Sequence, residues 1–127
     1  MIPITTDLVE HHGLNVMVAR LQGDIDMANA QNLLAEISSA IPNTIAALVV
    51  DTSDVAYLDS NGVRLLFELA RGMQRRRKPF RVVVPLQVFH RKVLLISGLQ
   101  KVVPMDDSLD EAFARLGPAA GVGHDDQ

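Results

Sequence analysis

Ile45-Ala46-Ala47-Leu48-Val49-Val50-Asp51, and beyond it Asp59-Ser60-Asn61-Gly62-Val63, form the stretch whose reading decides the fold. Ile45 to Val50 is apolar throughout and rich in β-branched side chains. With no polar face to present to water, it reads as a strand covered on both sides, as strands of parallel sheets are. Residues 51–59 read as a polar loop around Val55, Tyr57 and Leu58. From Ser60 the apolar positions take helical spacing, with Val63, Leu66, Phe67 and Ala70 on one stripe, and the helix runs to about Gln74. Arg75-Arg76-Arg77-Lys78-Pro79 ends it: cations suit the negative helix terminus, and proline disfavours helical backbone in the residue before it. Residues 81–84 return to a buried-type strand closed by Pro85.

Upstream, 5–10 and 14–21 are short β-type runs, with His11-His12-Gly13 as a hairpin turn between them. In the second run Val16, Val18 and Arg20 face one way and Met17, Ala19 and Leu21 the other. Asp26 precedes a helical pattern over 27–40, with Met27, Ala30, Leu33, Leu34, Ile37 and Ile41 near one stripe and Pro42-Asn43 as its stop. Downstream, 88–97 carries Phe89, Val93 and Ile96 on one helical face, followed by Gly98 as a C-cap. Residues 101–105 read as a last short strand. Ser108-Leu109-Asp110-Glu111 has capping-box spacing ahead of Ala112, Phe113 and Leu116. The order is β-β-α-β-α-β-α-β-α. This is an α/β chain with a sheet of about five strands, made mixed by the hairpin, and right-handed crossovers. One domain over 1–116 and a flexible C-terminal tail over 117–127 are expected.

The 127 residues, 48% of them apolar and 21% charged, suit a single core. The absence of Cys removes thiol nucleophiles, disulfides and Cys-ligated zinc. Twelve Lys+Arg against 15 Asp+Glu, a net charge of −3, argue against a surface built for nucleic acid. The longest apolar run, Ile45 to Val50, is far short of the roughly 20 residues of a membrane span. Met1-Ile2-Pro3-Ile4-Thr5-Thr6-Asp7 has neither the basic start nor the apolar core of a secretion signal, so a cytoplasmic protein is expected. Neither GxGxxG nor GxxxxGK[ST] occurs, and Ser60 is not in a GxSxG elbow. His11 and His12 are adjacent, and His90 and His124 are isolated, so no metal set emerges. Phe67, Phe89 and Phe113 read as core, and Arg75 to Lys78 as a solvated helix end.

Two turns stand out. Asp59-Ser60-Asn61-Gly62 sits between a buried strand and a helix, where α/β sheets gather their ligands. On spacing alone Ser60 is an N-cap and Gly62 a point of close helix–sheet packing. Gly23-Asp24-Ile25-Asp26 turns the chain at the end of the second strand, with Asp26 capping the next helix. If both turns lie on one sheet edge, Asp24, Asp26, Asp59 and Ser60 share an acidic neighbourhood.

In this order the turns resemble STAS domains, the family of anti-sigma factor antagonists. Gly23-Asp24-Ile25-Asp26 is similar to the family's G-[DE]-[LIV]-D turn. Val50-Asp51 and Ala56-Tyr57-Leu58-Asp59-Ser60-Asn61-Gly62-Val63 resemble its signature around the phosphoacceptor. Residues 88–103, with Val93-Leu94 and Ser97-Gly98-Leu99, resemble its third helix and last strand, and 108–116, with Glu111-Ala112, its closing helix. The resemblance spans residues 5–116. It implies four helices packed mainly on one face of the sheet. It implies a bacterial, non-enzymatic anti-anti-sigma factor that carries no cofactor. The unphosphorylated form of such a protein binds an anti-sigma factor that is also a serine kinase and frees a sigma factor. The kinase phosphorylates the Ser of the D-S-x-G turn, here Ser60, and a separate phosphatase resets it. Asp24, Asp26, Asp59, Ser60, Asn61 and Gly62 are then the partner-binding set.

The physics agrees with that implication. A phosphate adds about −1.5 to −2 charges. The helix N-terminus favours it and the neighbouring carboxylates do not. A doubly charged group must be desolvated on docking, so binding weakens without a change of fold. Asn61 departs from the Ser, Thr or Ala usual there, and Val84-Pro85 lacks the Gly common at that strand end. The competing role is a scaffold or small-ligand sensor in which Ser60 stays unmodified. An enzyme has no acid–base or nucleophile pair to build on.

Overall fold

The computed structural model describes residues 4–117, so the tail expected over 117–127 lies, beyond Gly117, outside the described residues. The chain opens with a hairpin of β1 (Ile4–His11) and β2 (Leu14–Ile25), paired antiparallel from Ile4↔Leu21 to His11↔Leu14. Its two-residue loop, His12-Gly13, has φ of 52° and 80°. Positive φ at both positions gives the turn whose twist matches the flanking strands, and Gly13 adopts it without strain. Then follow α1 (Ala30–Ala40), β3 (Ala47–Leu58), α2 (Ser60–Arg76), β4 (Phe80–Val83), α3 (His90–Ser97), β5 (Met105–Asp106) and α4 (Leu109–Leu116). A short 3₁₀ turn, Leu99–Lys101, lies between α3 and β5. The spatial order is β1-β2-β3-β4-β5, with every pair from β2 to β5 parallel, so the sheet is mixed as expected.

Alternation along the strands divides the core in two. Met17, Ala19, Leu21, Leu48, Val50 and Val82 meet Leu33 and Ile37 of α1, Leu65, Leu66, Leu69 and Met73 of α2, and Leu94 of α3. On the other face Val16, Val18, Ala47, Val49 and Val83 meet Ala112 and Leu116 of α4. Three helices therefore cover one face and α4 the other. No helix among the described residues is long and apolar enough to cross a membrane.

The α4 end is held by a buried carboxylate. Asp106, fully buried in β5, accepts from Arg81 Nε at 2.7 Å and Arg81 Nη2 at 3.0 Å, and from Arg115 Nη1 at 2.9 Å. This ties β4, β5 and α4 together. The capping box at the start of α4 forms: Ser108 Oγ accepts from Glu111 N at 3.1 Å. The return bond runs from Asp107 N to Glu111 Oε1 at 2.7 Å.

Four sequence expectations change. The polar loop over 51–59 is strand: β3 continues to Leu58, paired with β2 as far as Ile25↔Leu58. The register shifts twice, between Arg20/Gln22 and Gly23/Asp24, and each time β3 spends one residue more than β2. Such bulges leave Thr52, Val55 and Leu58 buried every third residue, which hides the two-residue period of a strand. Second, α1 starts at Ala30, with Met27 exposed in a preceding turn. Third, the α3 face is inverted. Phe89 is 93% exposed, and Val93 and Ile96 are also exposed, while His90 and Leu94 point inward. His90 can be buried because Thr52 meets its ring nitrogen. Fourth, the last strand is only Met105–Asp106, because the 3₁₀ turn takes up Leu99–Lys101.

Replacing Asp106 by Ala leaves the Arg81 guanidinium largely buried without its carboxylate. The expected loss is about 3–5 kcal/mol of unfolding free energy, read from urea denaturation.

Candidate functional site

The ends of β2 and β3 extend past the last β3–β4 pair, Asp51↔Val83, and carry the site between them. Register places Asp24 beside Tyr57 and Ile25 beside Leu58. Asp59 N donates to Ile25 O at 3.2 Å, joining the two turns. Asp24, Asp26, Asp59 and Ser60 therefore come together on one edge of the sheet. Asp24 and Ser60 are exposed, while Asp26, Asp59 and Asn61 are half-buried.

The cap is not where spacing predicts it. Asp59, in extended conformation, is the N-cap of α2. Its Oδ1 accepts from Asn61 N at 2.8 Å and Gly62 N at 3.4 Å. A carboxylate at this position satisfies orphan N–H groups and complements the positive helix end. Ser60 is thus the first helical residue. Its hydroxyl makes no hydrogen bond among the described residues, which leaves the oxygen available to a partner.

Gly62 allows close packing. It is buried, and a Cβ there would lie 2.6 Å from Leu58 Cγ and 3.2 Å from Ile25 Cγ2. The helix can rest on both strand ends only because that side chain is missing.

Asp26 does not cap α1 directly. Its Oδ1 accepts from Ala28 N at 2.9 Å, while Asn29 Oδ1 accepts from Asp26 N at 3.0 Å and Asn29 Nδ2 donates to Asp24 O at 2.8 Å. Asn29 is a positioning residue that sequence reading missed, and the Asp-x-x-Asn spacing was its signal. Arg64 was missed as well. It is exposed one helical turn after Ser60, and it lines a small hollow with Asn61, Gln31 and Leu34. Among the described residues no three His, Asp or Glu side chains gather as a metal site.

Beneath the extension, His90 Nε2 lies 2.9 Å from Thr52 Oγ1, and Thr52 Oγ1 donates to Val83 O at 2.8 Å. With that hydroxyl proton committed, Nε2 is the donor to Thr52. Burial lowers the His90 pKa below its ordinary 6.5, opposed in part by a hydrogen bond with the Thr52 backbone.

The five-stranded mixed sheet, with a capped serine turn beside an acidic strand end, defines a class of small α/β domain. Residues 6–112 match the STAS domain model, and the chain belongs to that family. It is 31% identical over 110 residues to the anti-sigma-F factor antagonist RsfB of Mycobacterium tuberculosis, covering 87% of each chain. A crystal structure of an anti-sigma factor antagonist from Mycobacterium paratuberculosis superposes with a TM-score of 0.73 at 31% identity, covering 88% of this chain and 92% of that one. The fold is also that of Bacillus SpoIIAA in its phosphorylated form, at a TM-score of 0.65 and 24% identity, covering 89% and 98%.

Two measurements check this geometry. Gly62→Ala forces the start of α2 off Leu58 and should lower stability by about 1–3 kcal/mol in urea unfolding. For His90, the unfolded state binds the proton more readily than the folded state. Its stabilising share is full above about pH 6.5 and declines as pH falls from there towards the lowered folded value. The urea midpoint should therefore drop between pH 7.5 and pH 5, and drop less in His90→Gln, which keeps a donor for Thr52.

Proposed function

We propose that this chain is an anti-sigma factor antagonist switched at Ser60. In this reading the unmodified protein docks its Ser60 edge on an anti-sigma factor that is also a serine kinase, and the displaced sigma factor is released. The Ser60 hydroxyl oxygen attacks the γ-phosphorus of the kinase's ATP, ADP leaves, and the hydroxyl proton passes to a base of the kinase. A phosphatase hydrolyses the phosphoserine and restores binding. The chain itself acts as a binding switch, not an enzyme, and its place of action is the cytoplasm.

The observation that carries the reading is the exposed Ser60 hydroxyl, left without an internal partner because Asp59 takes the cap. Likeness to a Mycobacterium tuberculosis protein named for antagonism of an anti-sigma factor supports the partner class. The electrostatics support a switch rather than a refolding. Phosphate at the first turn of α2 gains from the helix N-terminus and from Arg64 at i+4, so the domain keeps its shape. Beside Asp24, Asp26 and Asp59 it adds charge to a surface that must lose water on docking.

Incubation with the cognate anti-sigma kinase and ATP should place a single phosphate on Ser60, located by mass spectrometry. An unmodified Ser60 in the presence of active kinase contradicts the reading. Ser60→Ala should retain binding and resist modification, while Ser60→Asp should bind at least tenfold more weakly. Equal affinities would show that Ser60 lies outside the docking surface.

A further inference from the structure

At the other end of α2 from Ser60, a groove of about 500 Å³ opens between the helix, the start of β4 and the segment before β5. Phe67, Ala70, Met73, Phe80, Val102 and Pro104 give it apolar walls. The volume lies within the roughly 300–1,000 Å³ typical of small-molecule sites. Every charged side chain lining it is a cation: Arg71, Lys78 and Arg81.

Two of these cations have partners. Arg71 pairs with Glu68 at 2.7 Å, and Arg81 with the buried Asp106. Half-buried Lys78 makes no side-chain ion pair or hydrogen bond among the described residues. The negative end of α2 lies beside it but supplies no carboxylate. Gln74 O and Met73 O already accept from the backbone N–H groups of Arg77 and Lys78, at 3.0 and 3.1 Å. The groove thus presents an apolar body and one ammonium without a carboxylate partner among the described residues.

We propose that this groove binds a small amphipathic monoanion, a carboxylate on an apolar ring or chain. The Lys78 ammonium holds the carboxylate, and Phe67, Phe80 and Val102 cover the apolar part. Charge-assisted bonding to a partly desolvated lysine supplies orientation, and the apolar walls supply affinity. Along α2 the groove wall starts at Phe67, about 10 Å from Ser60, and Lys78 lies just past the far end of the helix, so the groove shares no residue with the Ser60 turn and the proposal stands or falls independently of the phosphorylation reading.

The test titrates 4-phenylbutyrate into the full chain, with 4-phenylbutan-1-ol as its uncharged match, and follows backbone amide shifts. Saturable shifts confined to 67–81 and 102–104 are expected, with the alcohol binding roughly tenfold more weakly. Lys78→Gln should weaken the acid by a similar factor and leave the alcohol unchanged. Val102→Glu puts a carboxylate at an exposed position on the groove wall and should abolish binding of the acid, while Val102→Gln, which removes only apolar cover, should weaken acid and alcohol alike. Circular dichroism checks that each variant is folded. The proposal is overturned by no saturable shift at millimolar acid, by shifts on another surface, by equal affinity for the alcohol, or by an unchanged affinity in Lys78→Gln.

Discussion

The close approach of α2 to the paired ends of β2 and β3, at Gly62, is the constraint on which the rest of the site depends. With no side chain at that position, the first helical turn rests on Leu58 and Ile25. That contact fixes where the free N–H groups of α2 point, and Asp59, the residue just before the helix, reaches them. Once the carboxylate has taken the cap, the Ser60 hydroxyl has no internal task and lies on the surface. The same contact sets the distance to the β2 turn, which Asn29 braces and where Asp24 and Asp26 stand. A missing methyl group thus determines the exposure of a hydroxyl two residues away.

The site and the fold are held by different forces. Apolar burial on both sheet faces and the Arg81–Asp106–Arg115 cluster stabilise the body of the domain; of these groups Ile25 and Leu58 underlie the Ser60 turn, while Ser60 itself is exposed. Charge can therefore change at Ser60 without disturbing the core. The thermodynamic effect of a phosphate falls on docking, where ions must be desolvated, rather than on the isolated domain, where helix N–H groups and water solvate it. The extension of β2 and β3 beyond β4 contributes geometrically, by lifting the turn clear of the sheet's other connections.

Much of the fold was legible because it rests on local pattern. The run Ile45 to Val50 announces a doubly covered strand, and the stripe of Val63, Leu66, Phe67 and Ala70 announces the helix after it. Ser108 and Glu111 mark the start of α4. The failures are equally physical. Residues 51–58 lose strand periodicity because two bulges shift the side chains out of step, so a continuous strand reads as a loop. Phe89, Val93 and Ile96 look like the inner face of α3 because they are apolar at helical spacing. The inner face instead belongs to His90 and Leu94, since a buried imidazole has a hydroxyl partner on β3, distant in sequence. Likewise Ser60 reads as a cap by residue type, while Asp59 takes that place by backbone conformation.

The sequence by itself determined the order of elements, the hairpin that makes the sheet mixed, and the placing of Asp24, Asp26, Asp59 and Ser60 near the ends of two neighbouring strands. These follow from side-chain periodicity, turn chemistry and caps, which act over a few residues. Only the tertiary structure decided which residue caps α2 and how far β3 runs. It also decided which face of α3 meets water, and that a cation-lined groove lies at the far end of α2. Each of these depends on groups brought together from distant parts of the chain: Gly62 against Ile25, Thr52 against His90, Lys78 beside Val102. Contacts of that kind leave no trace in local spacing, because no residue near in sequence has to change to permit them.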